Sequence, residues 1–376
     1  MAKRKRIGIY SPYIPEHFGG GERYIFSVAE CASIHHDVVI LVRSDIVERI
    51  FSAIPDQDVL RKRYEQAFHL NLSRVHFKFT SLGVRSHPLQ IFRETLPYDV
   101  MYYLTDGSFF FSGARKNIVH IQFPFTTPIC GVVERLKLHQ WSTRNANSIF
   151  TKKVVEHAWK VPIQYVHYPF IDHEIFVPAK KEHIILSVGR FFTGEKSGLH
   201  CKRQDILVET FKTLIDMKVA QGWRLVLIGT VDPGEDNQKY AQQVAAAAKG
   251  YPIKILHDAS FDVLRQYYSH ASLYWHAAGF GIDSGKEPKK VEHFGISIVE
   301  AMSSGAIPIV IGKGGTPEII DHGIQGFLCD TEDDIVKYSL TCMNNHVLTN
   351  KMRQEAREKA MQFNKDTFHK TLEEMI

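Results

Sequence analysis

Two glutamates eight positions apart, Glu292 and Glu300, are the residues whose types and spacing most directly suggest chemistry in this sequence. Apolar residues recur at helical spacing between and after them, which predicts an amphipathic helix over residues 295–304. The free N–H groups at the start of such a helix attract a phosphate. A carboxylate before the helix, these N–H groups and a second carboxylate two turns inside could bind a sugar, a diphosphate and a ribose in a row. A capped core helix with two surface acids is the alternative.

A second helix start follows in the same half of the chain. After an apolar strand at 307–311 comes Gly312-Lys-Gly-Gly-Thr-Pro-Glu. Thr316 is predicted to cap a helix whose first residue is Pro317. The glycines would let backbone approach a ligand closely, and this helix start also favours an anion.

The order of these two motifs resembles that of a known family. Glu292-His-Phe-Gly through Glu300-Ala-Met, followed by Gly314-Gly-Thr-Pro-Glu, is similar to the signature of retaining glycosyltransferases of family four. The wording Glu-His-Phe-Gly-Ile resembles most closely the mannosyltransferases of lipid-linked oligosaccharide assembly. The resemblance extends from about residue 7 to residue 360.

This resemblance implies the GT-B fold, an α/β architecture of two Rossmann-like domains that face each other across a cleft. The N-terminal domain, residues 1–175, would bind the acceptor, with a C-terminal helix at about 360–376 packing back on it. The C-terminal domain, residues 176–359, would bind the nucleotide sugar.

The composition is that of an ordinary globular protein with room for two domains. Of 376 residues, 44% are hydrophobic and 23% charged, which excludes the disordered and fibrous classes. No apolar run approaches the ~18 residues that span a bilayer, and the basic start leads into a strand rather than a signal peptide. Five scattered cysteines form no Cys-x-x-Cys pair and indicate reduced thiols. We therefore expect a cytoplasmic protein.

The net charge of +5 is concentrated in the first half of the chain. Basic and apolar residues alternate there: Arg61, Arg63, Phe68, Leu70, Leu72, Arg74, Phe77, Lys78, Phe79, Arg85 and Arg93. Such a surface could contact anionic lipid headgroups or a phosphorylated acceptor, and it predicts peripheral membrane association. Solvated faces of ordinary helices are the alternative. Nucleic acid is not expected as a partner, because no binding motif accompanies the charge.

Short apolar runs alternate with helical patterns, which predicts parallel sheets covered by helices. A charged break near 172–183 separates two series of strands. The predicted strands are 6–10, 38–42, 75–80, 99–104, 117–122 and 164–168, then 184–188, 224–228, 253–257, 272–275, 307–311 and 326–329. Helical patterns near 332–346 and 350–375 close the chain.

Gly19-Gly20-Gly21 lies between the first strand and a predicted helix at 22–32. A dinucleotide fingerprint would need a third glycine where Tyr24 stands, and no ribose-binding acid follows the next strand. The sequence therefore argues against a nicotinamide enzyme. The resemblance implies instead that Gly20 and Gly21 lie near the donor phosphates.

His120 ends an apolar strand, at the edge of the sheet where α/β sites usually gather. A buried core histidine is the alternative to a functional one. The resemblance favours function, because the family has a histidine at a matching position, facing the transferred sugar.

Arg190 follows the apolar strand at 184–188, and Lys202 is predicted to open the next helix. Two fixed cations there could neutralise a leaving diphosphate without a metal. Lys196 in the intervening loop competes with Lys202 for this role. A metal-dependent enzyme would carry Asp-x-Asp after a strand, and the one candidate, Asp56-Gln-Asp58, reads as a loop. No metal and no cofactor are expected, with GDP or UDP entering as part of the co-substrate.

The resemblance assigns the site in full. Glu292 would contact hydroxyls of the transferred sugar and Glu300 those of the ribose. The predicted catalytic residues are His120, Arg190, Lys202 and Glu292. The predicted donor-binding residues are Gly20, Gly21, Phe294, Gly295, Ile296, Ser297 and Glu300.

The sequence thus predicts a retaining, metal-independent hexosyltransferase. Mannose from GDP-mannose is favoured over a UDP-hexose, and the acceptor would be a glycan or a lipid-linked sugar. Two alternatives keep the fold: a nucleotide-sugar epimerase, and a non-catalytic scaffold subunit.

Overall fold

Two parallel α/β units make up the chain. The computed structural model describes residues 3–14, 19–51, 54–82, 87–193 and 201–376. The first unit comprises Met1–Pro169 together with Asp366–Ile376, and the second comprises Phe170–Lys365. Each contains its own buried apolar core around a central sheet. The fold class predicted from the sequence, two Rossmann-like domains, is confirmed.

The first unit has a seven-stranded parallel sheet in the order β3-β2-β1-β4-β5-β6-β7. Its strands are β1 (Arg6–Tyr10), β2 (Asp37–Arg43), β3 (Val75–Thr80), β4 (Val100–Leu104), β5 (Lys116–Ile121), β6 (Thr143–Ala146) and β7 (Tyr165–Val166). Its helices are α1 (Gly20–Ala32), α2 (Ser44–Phe51), α3 (Gln57–Phe68), α4 (Pro88–Thr95), α5 (Val132–Gln140), α6 (Ile149–Trp159) and, at the end of the chain, α14 (Lys365–Met375).

The second unit has a six-stranded parallel sheet in the order β10-β9-β8-β11-β12-β13. Its strands are β8 (Glu182–Val188), β9 (Arg224–Ile228), β10 (Ile253–Leu256), β11 (Ala271–His276), β12 (Ile307–Ile311) and β13 (Phe327–Cys329). Its helices are α7 (Gln204–Asp216), α8 (Glu235–Ala248), α9 (Phe261–His270), α10 (Ile296–Ser303), α11 (Thr316–Ile319), α12 (Glu332–Asn344) and α13 (His346–Ala360), with a 3₁₀ turn at Pro288–Lys290.

The strand order places a switch point in each sheet. In the first unit the chain leaves β1 for β2 on one side and returns to β4 on the other, and β8 has the same position between β9 and β11. Ligands of open α/β sheets bind beyond the carboxyl ends of the strands at such points. The carboxyl ends of β1 and β4 in the first sheet, and of β8 and β11 in the second, are therefore where a ligand is expected.

Every strand predicted from the sequence is present, with ends shifted by at most a few residues, and one further strand was missed. Strand β6 reads Thr-Arg-Asn-Ala and has none of the apolar alternation that marks a strand. It forms because parallel pairing on both sides, to β5 and β7, satisfies its backbone. The buried Arg144 side chain bonds two main-chain carbonyls, those of Leu138 and Pro162.

The helical pattern predicted near 350–375 consists of two helices. Helix α13 ends at Ala360 and α14 begins at Lys365. Between them the backbone turns at Phe363, whose N–H bonds Ala360 O at 2.9 Å and whose carbonyl accepts from Ile171 N at 2.8 Å.

The apolar-basic region of the first unit is only partly a surface. Leu72 and Phe77 are buried in the core, and Arg61 pairs with Asp58 at 2.7 Å. Arg85 lies outside the described residues. Within the described ranges, no helix combines the length and the apolar character needed to cross a membrane.

Candidate functional site

Helix α10 begins directly after Gly295, whose backbone conformation favours glycine. Gly295 precedes it with φ +107°, and a Cβ there would lie 2.7 Å from Ile298 Cδ1, so that only glycine fits. Its carbonyl accepts from Ile298 N at 3.0 Å and Val299 N at 3.3 Å. The amides of Ile296 and Ser297 precede this first intrahelical pattern. They are the N–H groups that the helix offers at its half-buried start.

Glu292 lies beside this helix start in contact with a cation. Its Oε2 accepts from Lys202 Nζ at 2.5 Å and from His276 Nε2 at 2.8 Å. Burial, and then the Lys202 charge, lower the pKa of His276, so that the neutral ring donates its Nε2–H. Glu292 is 6% exposed. The alternative of a surface acid is therefore wrong for Glu292.

Lys202 does not open helix α7, contrary to the sequence prediction. The helix begins at Gln204, and Arg203 before it has φ +51°. This left-handed residue turns the chain, and the stem of Lys202 lies over Gly189, where a Cβ would be 2.6 Å from Lys202 Cγ. The absence of a side chain at the end of β8 thus gives Lys202 its path to Glu292.

Arg190 lies at the same end of β8 with its side chain half-exposed. Its guanidinium pairs with Asp232 at 2.9 Å and lies 5.2 Å from the centre of the Phe192 ring. Its backbone is held by the buried Gln204, whose Nε2 donates to the carbonyls of Gly189 and Arg190 at 3.1 Å each. Contact with a diphosphate stays a prediction for Arg190. Lys196 lies outside the described residues.

Glu300 is also 6% exposed, and Tyr268 Oη donates to its Oε2 at 2.8 Å. The surface alternative is therefore wrong here too. Phe294 is buried as well and packs edge-on to Phe363, with ring centres 5.3 Å apart. The Phe294 side chain is thus part of the packing of the second unit.

A row of three aromatic rings supports the segment between the two glutamates. Tyr268 stacks on Tyr274 at 6.2 Å, and Tyr274 on His276 at 6.4 Å. Tyr268 donates a hydrogen bond to Glu300, and His276 donates one to Glu292. Burial raises the pKa of Tyr274, and a hydrogen bond with the Ser297 side chain opposes that shift.

Sequence reasoning missed this row, although one signal was available. Tyr274 and His276 are two positions apart in β11, and therefore lie on one face of the strand. Tyr268 comes from helix α9, and no local pattern connects it with Glu300.

Two glycines after β12, Gly314 and Gly315, lie against the backbone of Glu292 and His293. A Cβ at Gly314 would lie 2.1 Å from Glu292 O, and one at Gly315 would lie 2.2 Å from His293 O. Gly315 N donates to Glu292 O at 2.7 Å. These glycines thus fix the backbone that carries Glu292, whereas the sequence suggested close approach to a ligand.

Thr316 is not the helix cap that the sequence predicted. It is the first residue of the four-residue α11, and Gly315 is the cap. The buried Thr316 hydroxyl donates to Ile311 O at 2.8 Å and Lys313 O at 3.1 Å, which closes the turn after β12.

In the first unit, Gly20 and Gly21 form the first turn of α1, two residues earlier than predicted. Glu22 is buried, and its Oε2 accepts from Gly19 N at 2.8 Å. A carboxylate of the chain therefore occupies part of this helix start. A Cβ on Gly21 would meet Gln122 and Leu104 at 3.6 and 3.7 Å, which is ordinary contact. Donor binding stays a prediction for both glycines.

His120 is fully buried near the end of β5. Its Nδ1 lies 2.5 Å from Asn145 Oδ1 and its Nε2 lies 2.7 Å from Gln122 Oε1. The ring of Tyr24 stacks on it at 3.6 Å. Burial lowers the pKa of His120 to about 4, so that the imidazole is neutral at pH 7. Tyr24, which replaces the third glycine of a dinucleotide motif, is thus part of the surroundings of His120.

The Asp-x-Asp candidate is a helix start rather than a loop. Asp56 caps α3, and its side chain accepts from Asp58 N at 2.8 Å. Asp58 in turn pairs with Arg61 one turn later. Both carboxylates therefore have local partners in the helix.

The model of the family of glycosyl transferases group 1 matches residues 170–359, half of the chain. The chain belongs to this family. The matched residues form nearly all of the second unit and include Arg190, Lys202, Glu292 and Glu300.

Two curated relatives differ in how much of this family member they cover. A GDP-Man:Man(3)GlcNAc(2)-PP-Dol alpha-1,2-mannosyltransferase from Xenopus laevis is 25% identical over 54% of this chain and 40% of its own length. The chain thus spans about two fifths of that relative. A probable sucrose-phosphate synthase from Thermosipho melanesiensis is 23% identical over 93% of this chain and 89% of its own length.

Solved structures align with nearly the whole of this family member, including the residues that the family model does not match. The Anabaena protein Alr3699/HepE, solved in complex with UDP and glucose, aligns with 99% of this chain and 99% of its own at a TM-score of 0.69 and 16% identity. A glycosyltransferase from Rickettsia africae aligns at a TM-score of 0.72 and 15% identity. The fold is accordingly GT-B, as the motif resemblance implied.

Proposed function

We propose that this protein transfers a hexose from a nucleotide diphosphate sugar to a hydroxyl of an acceptor, with retention of the anomeric configuration. The observation that carries the proposal is the Lys202–Glu292 pair beside the start of α10. It brings a cation and a carboxylate together beside the first two amides of α10, all within the residues that the family model matches. The cation and the amides would bind a diphosphate, and the carboxylate would bind the sugar attached to it.

The second carboxylate supports the nucleotide end of this assignment. Glu300 accepts a hydrogen bond from Tyr268 and is the fifth residue of the same helix, about one turn from its start. A carboxylate accepts two hydrogen bonds from the vicinal hydroxyls of a ribose. The proposed donor therefore lies along α10, with its sugar toward Glu292 and its ribose toward Glu300.

The proposed step breaks the bond between the anomeric carbon and the phosphate oxygen, and forms one between that carbon and the acceptor oxygen. The acceptor proton passes to the departing diphosphate. Negative charge develops on the leaving oxygen, where Lys202, Arg190 and the amides of Ile296 and Ser297 would stabilise it. These groups would neutralise the leaving-group charge that a metal ion neutralises in other transferases, so no metal or other cofactor enters the proposal.

GDP-mannose is the donor we favour, with transfer of mannose to a glycan or a lipid-linked sugar. The motif around Glu292 and the name of the Xenopus relative support it. A UDP-hexose is the second candidate, supported by the UDP and glucose of the Anabaena complex. Action in the cytoplasm at a membrane surface also belongs to this proposal, since a lipid-linked acceptor would lie in that surface.

The first test is a thermal-shift titration with GDP, UDP and ADP on the wild type, on Glu300→Gln and on Glu235→Gln. A nucleotide at 100 times its dissociation constant stabilises by about 2.7 kcal/mol. We expect GDP to raise the melting temperature of the wild type and of the exposed control Glu235→Gln. The shift should be largely lost in Glu300→Gln, because the ribose loses a charged acceptor.

An activity assay with donor and acceptor completes this test. Incubation with GDP-mannose and a mannosylated lipid-linked acceptor, with and without EDTA, should give a product heavier than the acceptor by one hexose. NMR of the new linkage reports its anomeric configuration. Donor consumed without acceptor, with unchanged mass, would instead establish an epimerase. No shift with any nucleotide and no product would favour the scaffold alternative.

A further inference from the structure

A buried set of polar side chains surrounds His120 in the first unit. It comprises Tyr24, Tyr102, Asn145 and His167, each at most 2% exposed. They come from α1, β4, β6 and the segment just after β7. Their hydrogen-bond directions are set by two main-chain carbonyls, which can only accept.

The first carbonyl is Val119 O, which fixes the amide of Asn145. Asn145 Nδ2 donates to it at 3.1 Å. The other end of the amide, Oδ1, is thereby turned toward His120 Nδ1 at 2.5 Å. Since Oδ1 can only accept, the hydrogen of His120 must be on Nδ1.

The other ring nitrogen, Nε2 of His120, then carries a lone pair. Its neighbour Gln122 is half-buried, and within the described residues no hydrogen bond holds its amide nitrogen. This amide can turn to present N–H to His120 Nε2. Burial keeps the pKa of His120 near 4, so that the ring carries one hydrogen and not two.

The second carbonyl is Phe368 O in helix α14. His167 Nε2 donates to it at 2.9 Å, and burial lowers the pKa of His167 to about 3. The neutral His167 must therefore accept at Nδ1, which contacts the hydroxyl of Tyr24. The Tyr24 hydroxyl donates to His167 and accepts from Tyr102 at 2.9 Å. Since its hydrogen goes to His167, the Tyr24 hydroxyl does not donate to Asn145 Oδ1, which lies 3.3 Å away. The Tyr24 ring meanwhile stacks on the imidazole of His120.

We propose that Asn145 and Tyr24 are positioning residues that hold His120 with its hydrogen on Nδ1 and its lone pair on Nε2, where it accepts a hydrogen bond from a substrate hydroxyl. This inference rests on the proposed function and on the prediction from the sequence that His120 is catalytic. Asn145 sets the tautomer, Tyr24 sets the plane of the ring, and the substrate hydroxyl replaces Gln122 beside Nε2.

The test is the nitrogen spectrum of the histidine rings in the full chain labelled with ¹⁵N-histidine. The chain has 20 histidines, and the signals that disappear in His120→Gln identify His120. We expect the Nδ1–H tautomer in the wild type. Asn145→Leu should shift His120 toward the Nε2–H form, and Asn145→Asp, which keeps an acceptor, should keep the hydrogen on Nδ1.

Tyr24→Phe is the matched control, because it keeps the stacked ring and removes only the hydroxyl. His120 should retain its tautomer there, while the His167 signals change. In kinetics, Asn145→Leu should lower kcat by about 10²-fold with a smaller change in the donor KM, because the proposed hydrogen bond to a substrate hydroxyl is lost in the transition state.

An Nε2–H tautomer in the wild type would overturn the proposal, and so would an unchanged tautomer in Asn145→Leu. The wild-type spectrum decides the first point even if a variant fails to fold. A near-normal kcat in His120→Gln would rule out the proposed hydrogen bond to a substrate hydroxyl, even with the expected tautomer. Absence of any nucleotide shift would instead count against the proposed function, and the spectrum would still report the tautomer.

Discussion

One oxygen of Glu292 binds both a lysine and a neutral histidine, in a position that is almost inaccessible to water. Such a pair contributes little to stability unless its geometry is good, but removing one partner leaves a buried charge. The arrangement holds Lys202 extended over Gly189 toward the start of α10. In the proposed transfer its use is preorganisation, since a fixed cation needs no rearrangement when charge develops on a leaving group.

A double-mutant cycle tests this coupling between Lys202 and Glu292. Lys202→Ala should cost about 1–3 kcal/mol of unfolding free energy, because Glu292 loses one of its donors. Lys202→Ala and Glu292→Gln should each lower kcat/KM by about 10²-fold, and the double variant should lose less than the sum of the two. Chemical denaturation and steady-state kinetics measure both effects.

The exposed pair of Lys239 and Glu235, at 2.7 Å, is the control for this cycle. Its variants should stay within about 0.5 kcal/mol of the wild type, since exposed pairs contribute little. Strict additivity of the Lys202 and Glu292 variants would contradict the coupling.

At the scale of elements, the turn after β12 supports the segment that precedes α10. Gly314 and Gly315 lie so close to the carbonyls of Glu292 and His293 that no side chain fits between them. The hydrogen bond from Gly315 N to Glu292 O joins the two segments. The second glycine-rich motif therefore acts on the first, by holding the backbone that positions Glu292.

Gly315→Ala should weaken donor binding without touching a donor. Its Cβ would lie 2.2 Å from a backbone oxygen, so the segment around Glu292 must move. We expect a loss of about 1–3 kcal/mol in unfolding free energy and a smaller thermal shift with nucleotide. Gly285→Ala is the control, because a Cβ there meets only the movable Asp283 side chain, at 3.2 Å. Equal behaviour of the two variants would refute this role for the turn.

At the scale of the whole molecule, the chain ends in the unit in which it began. Residues Asp366–Ile376 belong with Met1–Pro169, although Phe170–Lys365 form a separate unit. Phe368 of α14 is buried and stacks on His167 at 4.0 Å. Lys5 Nζ donates to Ile376 O at 2.8 Å. The first unit is thus closed by residues from both ends of the chain.

Phe368→Ala should destabilise the first unit selectively. Removing a buried phenyl ring costs about 3–5 kcal/mol, and the lost ring also borders His167 and Tyr24. Hydrogen exchange followed by mass spectrometry should show faster exchange in β1, β4 and β5 than in β8, β9 and β11. Phe211→Ala, a fully buried phenylalanine of the second unit, should give the reverse pattern. Uniform acceleration in both units would contradict independent units.

Features that depend on neighbours along the chain were predictable from the residues. Apolar runs separated by helical patterns predicted the parallel α/β class, because burial on both faces of a parallel sheet demands such runs. Gly295 and the spacing of Glu292 and Glu300 predicted α10, because helix periodicity and a left-handed glycine are local properties. The same locality explains the miss at β6, which depends on pairing with β5 and β7 rather than on its own pattern.

The contacts around Glu292 and those around His120 were decided by tertiary structure. Lys202 and Glu292 are 90 positions apart, and Tyr24 and His167 are 143 apart. No periodicity relates such residues, since their meeting depends on which strands become neighbours in the sheet. The sequence therefore provided the groups of the proposed site, whereas the fold determined that Glu292 pairs with Lys202, that the glycine turn holds Glu292, and that Asn145 contacts His120.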